Sequence, residues 1–291
     1  MTHLGCHHGI PASVYHADPG ASASRLKRIA LESPLHCLLE MRKPIEPTPA
    51  MVLGTLVHQA ILEPGQPLPM LAVVPESYTV PEDYKPASKR DVQPGEVVEW
   101  SFRRKHCQQW RKAQEEAGRI VLSRDDADVI WDAAKAVGSH SLAAGFFNDA
   151  DAEVSMFWET EDGSRCKARL DLVPRGSALV DVKFTNDASP RAFAKHVVSM
   201  GYHIQAAWYL MAWETCGTGK RDDFFFVAIE QGTCAVTVHR LSHDLIEEGK
   251  RVALGAFARW KRCMETRVWP GYDEVVHVVD KPRWMRGEGE E

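Results

Sequence analysis

Residues 167–184 read KARLDLVPRGSALVDVKF. Two apolar runs flank a Pro-Arg-Gly turn, which is the pattern of a β-hairpin. Three ionisable residues, Asp171, Asp181 and Lys183, stand inside those runs. Side chains alternate along a strand, so Asp181 and Lys183 are expected on one face. A turn centred at Gly176 sets Asp171 opposite Asp181. The preceding turn, Asp162-Gly163, is a strong hairpin signal, and centring it at Asp162 sets Glu153 opposite Asp171. The expectation is that Glu153, Asp171 and Asp181 lie side by side across three strands, with Lys183 one step along. A slip of one residue would turn a side chain to the other face.

Carboxylates that close repel one another, and burial alone would raise their pKa values. A hard cation between them resolves this. Mg²⁺ takes a few carboxylates, keeps several waters and accepts phosphate oxygens. A metal so held can activate water and stabilise a phosphate under in-line attack. Lys183 is placed to hold or deprotonate that water, or to neutralise developing charge. An isolated Asp-x-Lys is usually a cross-strand ion pair; Asp171 and Glu153 at hairpin-compatible spacing are what favour a site.

Outward from the hairpin, the middle of the chain is β-rich, with strands expected over 152–160, 165–173 and 178–184, then 223–230 and 234–241. Helices are expected over 22–32, with Ser22 or Ser24 as N-cap, and over 50–63, stopped by Pro64-Gly65. Others are expected over 99–117, 124–138 (Ser123 and Asp126 at capping-box spacing), from Ser189-Pro190, over 202–215 and over 243–266. The stretch 33–50 is broken by prolines. A short strand is expected at 71–75 and an exposed loop over 76–97. The fold class is therefore α/β, a mixed sheet flanked by helices with a helical N-terminal part. One domain is expected over 1–291: a mainly helical 1–150, a sheet and its helices over 151–266, and an irregular tail over 267–291, with the terminal RGEGEE frayed.

The composition bounds the function. The 291 residues hold 44% hydrophobic and 26% charged residues, as a globular protein does. A net charge of −5 argues against a non-specific nucleic-acid coat. No apolar run reaches the ~18–20 residues of a membrane span, and no secretory leader is read at the start. The seven cysteines are scattered, with no CxxC pair. A disulfide framework or zinc ribbon is thus not expected, and a reducing cytoplasm is.

Asp171 followed by LVDVKF (179–184) resembles the PD-(D/E)xK nuclease core. LGTLVHQAIL (53–62), with Gly54 and His58, resembles the GxxxH helix of the RecB-like branch. YHIQAAWYLMAW (202–213), with Gln205 and Tyr209, resembles its QxxxY helix. The N-terminal YHADPGASASRLKRIALESPLHC (15–37) and PTPAMVLGTLVH (47–58) are similar to the RecE-type exodeoxyribonuclease VIII of phage recombination. The proline of the motif's name is absent; Leu170 precedes Asp171. An iron–sulfur branch is disfavoured for want of spaced cysteines.

The resemblance implies a restriction-endonuclease-like fold and a Mg²⁺-dependent deoxyribonuclease, with Mn²⁺ able to substitute and one or two ions bound. It implies that Asp171, Asp181, the Val182 carbonyl and His58 hold metal, and that Glu153 holds a second ion or positions water. Lys183 aids the nucleophile. Gln205 and Tyr209 hydrogen-bond the lysine, a water or the DNA backbone. Family members degrade one strand of linear duplex from its 5′ end and leave a 3′ overhang. Some form rings around DNA, and a single-strand annealing protein is an implied partner. A 5′ phosphate would sit near Ser22, Ser24, Arg25 and Arg28, where a helix start offers free N–H groups; solvated arginines beside an N-cap account for them equally well. Lys85, Lys89 and Arg90 are candidate backbone contacts. Two alternatives stay open: an endonuclease on the same fold, structure-specific or of restriction type, and a non-catalytic DNA-binding module. A bacterial cytoplasm is the expected location, with a phage or prophage origin open.

Overall fold

Two turns set the sheet, in the registers that the sequence predicts. The computed structural model describes residues 4–43, 46–88, 91–217 and 219–279. The N-terminal part runs β1 (Gly5–His7), α1 (Ala12–Ala17), α2 (Ala23–Leu31), α3 (Pro34–Arg42), α4 (Pro49–Leu62) and β2 (Leu71–Val73). Then come β3 (Ser77–Thr79), β4 (Val97–Glu99), α5 (Lys105–Glu116), β5 (Ile120–Leu122), α6 (Arg124–Ser139) and α7 (Ser141–Phe147). The rest runs β6 (Ala150–Glu159), β7 (Arg165–Pro174), β8 (Ala178–Thr185), α8 (Pro190–Ser199), α9 (Tyr202–Cys216), β9 (Asp223–Glu230), β10 (Val236–Arg240) and α10 (His243–Thr266).

Six strands form the main sheet in the order β1-β6-β7-β8-β9-β10. All neighbours are antiparallel except β8 and β9, which are parallel. A parallel pair needs a crossover, and α8 with α9 provides it. Helices cover both faces. On one face Met156, Ala168, Leu170, Leu179 and Phe226 pack with α2, α8, α9 and α10. On the other, Leu172, Val180, Val182, Val227 and Ile229 pack with α4, α6 and α7. The α/β class with a mixed sheet is as expected.

The alternation breaks at one level of the sheet. Val154 and Leu170 belong to the first core, whereas Ala152 and Leu172, two residues away, belong to the second. Between them, Glu153 adopts φ 54°. A non-glycine residue in that region marks a local distortion of the strand. The pairs Ala152↔Leu172 and Val154↔Leu170 keep the register centred on Asp162, but Glu153 and Asp171 do not join the ladder. β7 and β8 pair at Leu172↔Val180, the register centred on Gly176, and then part. In the gap that opens, the Asp171 carboxylate accepts the Val182 amide at 2.9 Å. Farther along, Ala21 bridges to Cys166.

Several segments differ from the sequence reading, which expected no element at β1, α1, β5 or α7. Residues 34–42 form a helix: Ser33 caps it, accepting from the His36 amide at 3.4 Å, and Pro34 begins it. A first-turn proline starts a helix rather than breaking it. The expected loop 76–97 contains β3, which pairs with β4 and closes a small core of Val80, Tyr84 and Val98. α5 consequently starts at Lys105, six residues later than expected. The terminal RGEGEE, expected to fray, lies outside the described residues. Among the described residues no helix is long and apolar enough to cross a membrane, and all seven cysteines are free.

Candidate active site

β6, β7 and β8 bring their acidic residues to the gap, and α4 and α9 close on it from opposite faces. α4 forms because Thr48 caps it, accepting from the Met51 amide at 3.3 Å, and Pro49 begins it. Its inward stripe, Leu56, Val57, Ala60 and Ile61, is buried. His58 then reaches the sheet. Its Nε2 donates to Asp171 Oδ2 at 2.8 Å, and its Nδ1 lies 3.5 Å from Glu153 Oε1. A Cβ at Gly54 would meet nothing within 4 Å, so the helix leaves open space one turn before His58.

Asp171 is the hub. Its Oδ2 takes both the His58 proton and the Val182 amide. Burial acts to raise its pKa, but the His58 charge and hydrogen bond, with Lys183, hold it below the usual carboxylate range. His58 shows the reciprocal effect: burial disfavours its charge, yet Asp171, then Glu153, raise its pKa to about 9. Glu153 is raised by burial and by Asp171, against Arg169 and His58. Arg169 pairs with Glu153 and donates to the Ile10 carbonyl at 3.0 Å.

Asp181 faces the other way. It is completely buried, with Lys183 against one carboxylate oxygen and Gln205 Nε2 donating to the other at 2.6 Å. Asp181 and Lys183 thus share a face as the alternation requires. Burial and the nearby Asp171 push the Asp181 pKa up to about 6 despite Lys183. Lys183 is disfavoured by burial but kept charged by Asp181 and Asp171. Its ammonium lies 4.8 Å from the Tyr202 ring centroid. Tyr209 is hydrogen-bonded to Gln205, and burial raises its pKa well above the usual value.

The expected row of three carboxylates is therefore divided. Glu153 and Asp171 turn to His58 on α4, and Asp181 turns to Lys183 and Gln205. The reason is the distortion at Glu153, which strict alternation does not anticipate. Ligand atoms of His58, Glu153 and Asp171 lie within 4.8 Å of one another. One imidazole and two carboxylates suit a divalent cation of the Mg²⁺/Mn²⁺ type, with the carboxylates as the hard donors.

A cleft of about 410 Å³ runs past these groups. Ser22 and Ser24, at the start of α2, line it, their hydroxyls 3.0 Å apart. Arg25 and Arg28, expected beside them, are turned to other partners: Arg25 to the carbonyls of Pro19 and Gly20, Arg28 to Glu32 and Glu40. Lys85 lines a separate cleft with Tyr78, Tyr84 and Trp110. Lys89 and Arg90 lie outside the described residues. Lys27, which lines the cleft and approaches Gln205 Oε1 at 3.5 Å, is absent from the sequence-derived site. Its signal was available: it lies one turn after Ser24 on the same helix.

The N-terminal segment forms one wall of the cleft through Ala12, Tyr15 and His16. β7 holds it with alternate residues. Arg165 pairs with Asp18 at 2.8 Å. Lys167 Nζ donates to the carbonyls of Tyr15 at 2.6 Å, Asp18 at 2.7 Å and His16 at 3.4 Å. Arg169 takes Ile10. The strand that carries Asp171 is thus also the anchor of the cleft wall.

Comparison with known proteins gives a likeness of fold and a family. A crystal structure of a provisionally assigned exonuclease from Eubacterium rectale aligns over 95% of this chain and 96% of its own, with TM-score 0.61 and 16% identity. The alkaline exonuclease LHK-Exo from Laribacter hongkongensis aligns over 57% of this chain and 86% of its own, with TM-score 0.27 and 13% identity. At such identities the first likeness is one of fold. No curated protein matches the sequence. The model of the PDDEXK-like domain of unknown function, DUF3799, matches residues 22–282. The chain therefore belongs to that PDDEXK-like family, as its resemblance to the PD-(D/E)xK nuclease core implied.

Proposed function

We propose that this nuclease is a Mg²⁺-dependent exodeoxyribonuclease of RecE type. It degrades one strand of linear duplex DNA from the 5′ end and leaves a 3′ overhang. The observation that carries the reading is the convergence of His58, Glu153 and Asp171 beside the Asp181–Lys183 pair. The RecE-like N-terminal segment supports the choice of branch.

His58, Glu153 and Asp171 would hold the cation; the resemblance adds Asp181 and the Val182 carbonyl, but here Lys183 and Gln205 take the two Asp181 oxygens. When bound, the cation supplies water activation and charge neutralisation at phosphate. Lys183 is charged, so its part is to donate: it orients a water or a phosphate oxygen and stabilises developing negative charge. It does not serve as a base while paired with Asp181. Gln205 fixes Asp181, and Tyr209 fixes Gln205. The wider reading is a homo-oligomer able to encircle DNA, paired with a single-strand annealing protein in phage-type recombination. Its support is the family resemblance.

The test is a gel assay on 5′-phosphorylated linear duplex and covalently closed circles, each with Mg²⁺, Mn²⁺ or EDTA. Metal-dependent loss of the linear duplex alone is expected, and labelling each end gives polarity. A nicked or linearised circle would replace the exonuclease with an endonuclease. Binding without cleavage under all metals would replace it with a binding module.

A further inference from the structure

α2 carries three cations within about one turn, and two are satisfied inside the protein. Arg25 donates to two backbone carbonyls, and Arg28 pairs with two glutamates. Lys27 is different. Among the described residues no carboxylate forms an ion pair with it, and its polar contact is the long one to Gln205, 3.5 Å. Its ammonium lies 5.4 Å from the Tyr202 ring centroid. Burial, then the nearby Lys183 charge, lowers its pKa to about 8. The Asp181 carboxylate offsets this in part but makes no ion pair with Lys27, and a half-buried cation with no direct ion pair gains from an anion that completes the site.

Position indicates which anion. Lys27 and Ser24 line two clefts at once. One is the active-site cleft. The other, about 450 Å³, is lined further by Arg28 with its partners Glu32 and Glu40, and by Leu31, Ser199 and Met200. Lys27 therefore stands where the two clefts meet. It is one residue removed from Asp181, through Gln205. The second cleft falls in the size range of small-ligand sites. It combines exposed apolar groups, Leu31 and Met200, with polar ones. With Glu32 and Glu40 paired to Arg28, that mixture suits the uncharged nucleoside and leaves the phosphate to Lys27.

We propose that Lys27 binds a backbone phosphate of the nucleic-acid strand at the junction of the two clefts, so that the nucleotide adjoining the cleaved bond lies in the second cleft. This rests on the nuclease reading above. Lys27 is a binding residue, and Ser24 is its neutral neighbour on the same wall.

The test uses the full chain and a short blunt 5′-phosphorylated duplex, with Ca²⁺ replacing Mg²⁺ and binding read by fluorescence anisotropy over a range of salt. Lys27→Met is expected to weaken binding roughly tenfold, as loss of one charged hydrogen bond does. It should also reduce the slope of log K against log salt by about 0.7–0.9, the signature of one lost phosphate contact. Lys27→Arg should restore both. The Lys27→Met protein should melt at or above the wild-type temperature, because a half-buried charge with no direct ion pair is removed. A lower melting temperature with unchanged salt slope would make Lys27 structural and overturn the proposal. If Lys27→Met does not fold, Lys27→Gln carries the same comparison. Wild-type cleavage with unaltered binding by the Lys27 variants would refute the proposal and leave the nuclease reading intact. Binding without cleavage, with the reduced slope, would keep Lys27 as a phosphate site and sink the nuclease reading. No binding by the wild type would refute both.

Discussion

The carboxylate of Asp171 accepts the backbone amide of Val182 at 2.9 Å, where β7 and β8 part. A side chain here does the work of a ladder bond, while the same oxygen also takes His58 Nε2 at 2.8 Å. Asp171→Asn keeps an acceptor for Val182 and removes the charge that His58 needs. The fold should survive, with cleavage and Mg²⁺ or Mn²⁺ affinity falling by about 100-fold or more, beyond the usual effect of altering a ligand's outer partner. Calorimetric metal titration beside a cleavage assay checks it. Unchanged metal affinity would remove Asp171 from the ligand set.

Lys183 and Asp181 form a buried pair, and removing one partner leaves an uncompensated charge. Lys183→Met should destabilise the protein by about 3–5 kcal/mol and abolish cleavage. The double variant Lys183→Met with Asp181→Asn should recover most of the stability and none of the activity. Denaturant melts of the four proteins give the coupling. A double variant as unstable as the single one would mean that the ion pair is not what matters.

Glu153 sits at φ 54°, a conformation glycine adopts freely. Glu153→Gly gains about 1 kcal/mol of backbone relief, against the loss of partly exposed ion pairs to Arg169 and His58. Stability should therefore stay near wild type while cleavage drops steeply. Thermal melts and the cleavage assay separate the two effects. A large loss of stability would show that the carboxylate holds the fold.

Lys167→Met removes the donor shared by the carbonyls of Tyr15, His16 and Asp18. Carbonyls left unpaired in a buried place cost about 1–3 kcal/mol each, with some recovery by water. The expected loss is about 2–4 kcal/mol. Amide exchange should quicken first over residues 10–20. Uniform exchange change across the protein would argue against a local anchor.

Gly249 of α10 passes close to α9. A Cβ at that position would lie 2.1 Å from the His203 carbonyl oxygen, a backbone atom that cannot swing away. Gly249→Ala should force the two helices apart and cost about 1–3 kcal/mol or more. A melting temperature equal to wild type would mean that the helices separate freely.

The strand registers, the GxxxH and QxxxY helices and most helix limits were legible because each rests on local signals. Asp162-Gly163 and Gly176 fix the turns, and Thr48-Pro49 or Ser189-Pro190 start the helices. What was hidden depends on distant residues. β3 and β4 are three residues each and exist by pairing with one another, too short for a period to show. The φ of Glu153 divides the acidic row in two, and nothing in AEVSMF announces it. The lysine at 167 looks like solvated strand polarity. It is buried because a segment about 150 residues earlier brings carbonyls to it. Lys27 was passed over in favour of the arginines on either side of it, which have internal partners.

The anchoring of residues 10–18 by Arg165, Lys167 and Arg169 has a consequence for how the chain assembles. Residues 10–18 cannot take their place until β7 exists. Closing so long a loop is entropically costly and favours late docking. β6, β7 and the helices behind them can form while the N-terminal segment is still free. That wall of the cleft then docks last, so the cleft is completed only on a finished sheet.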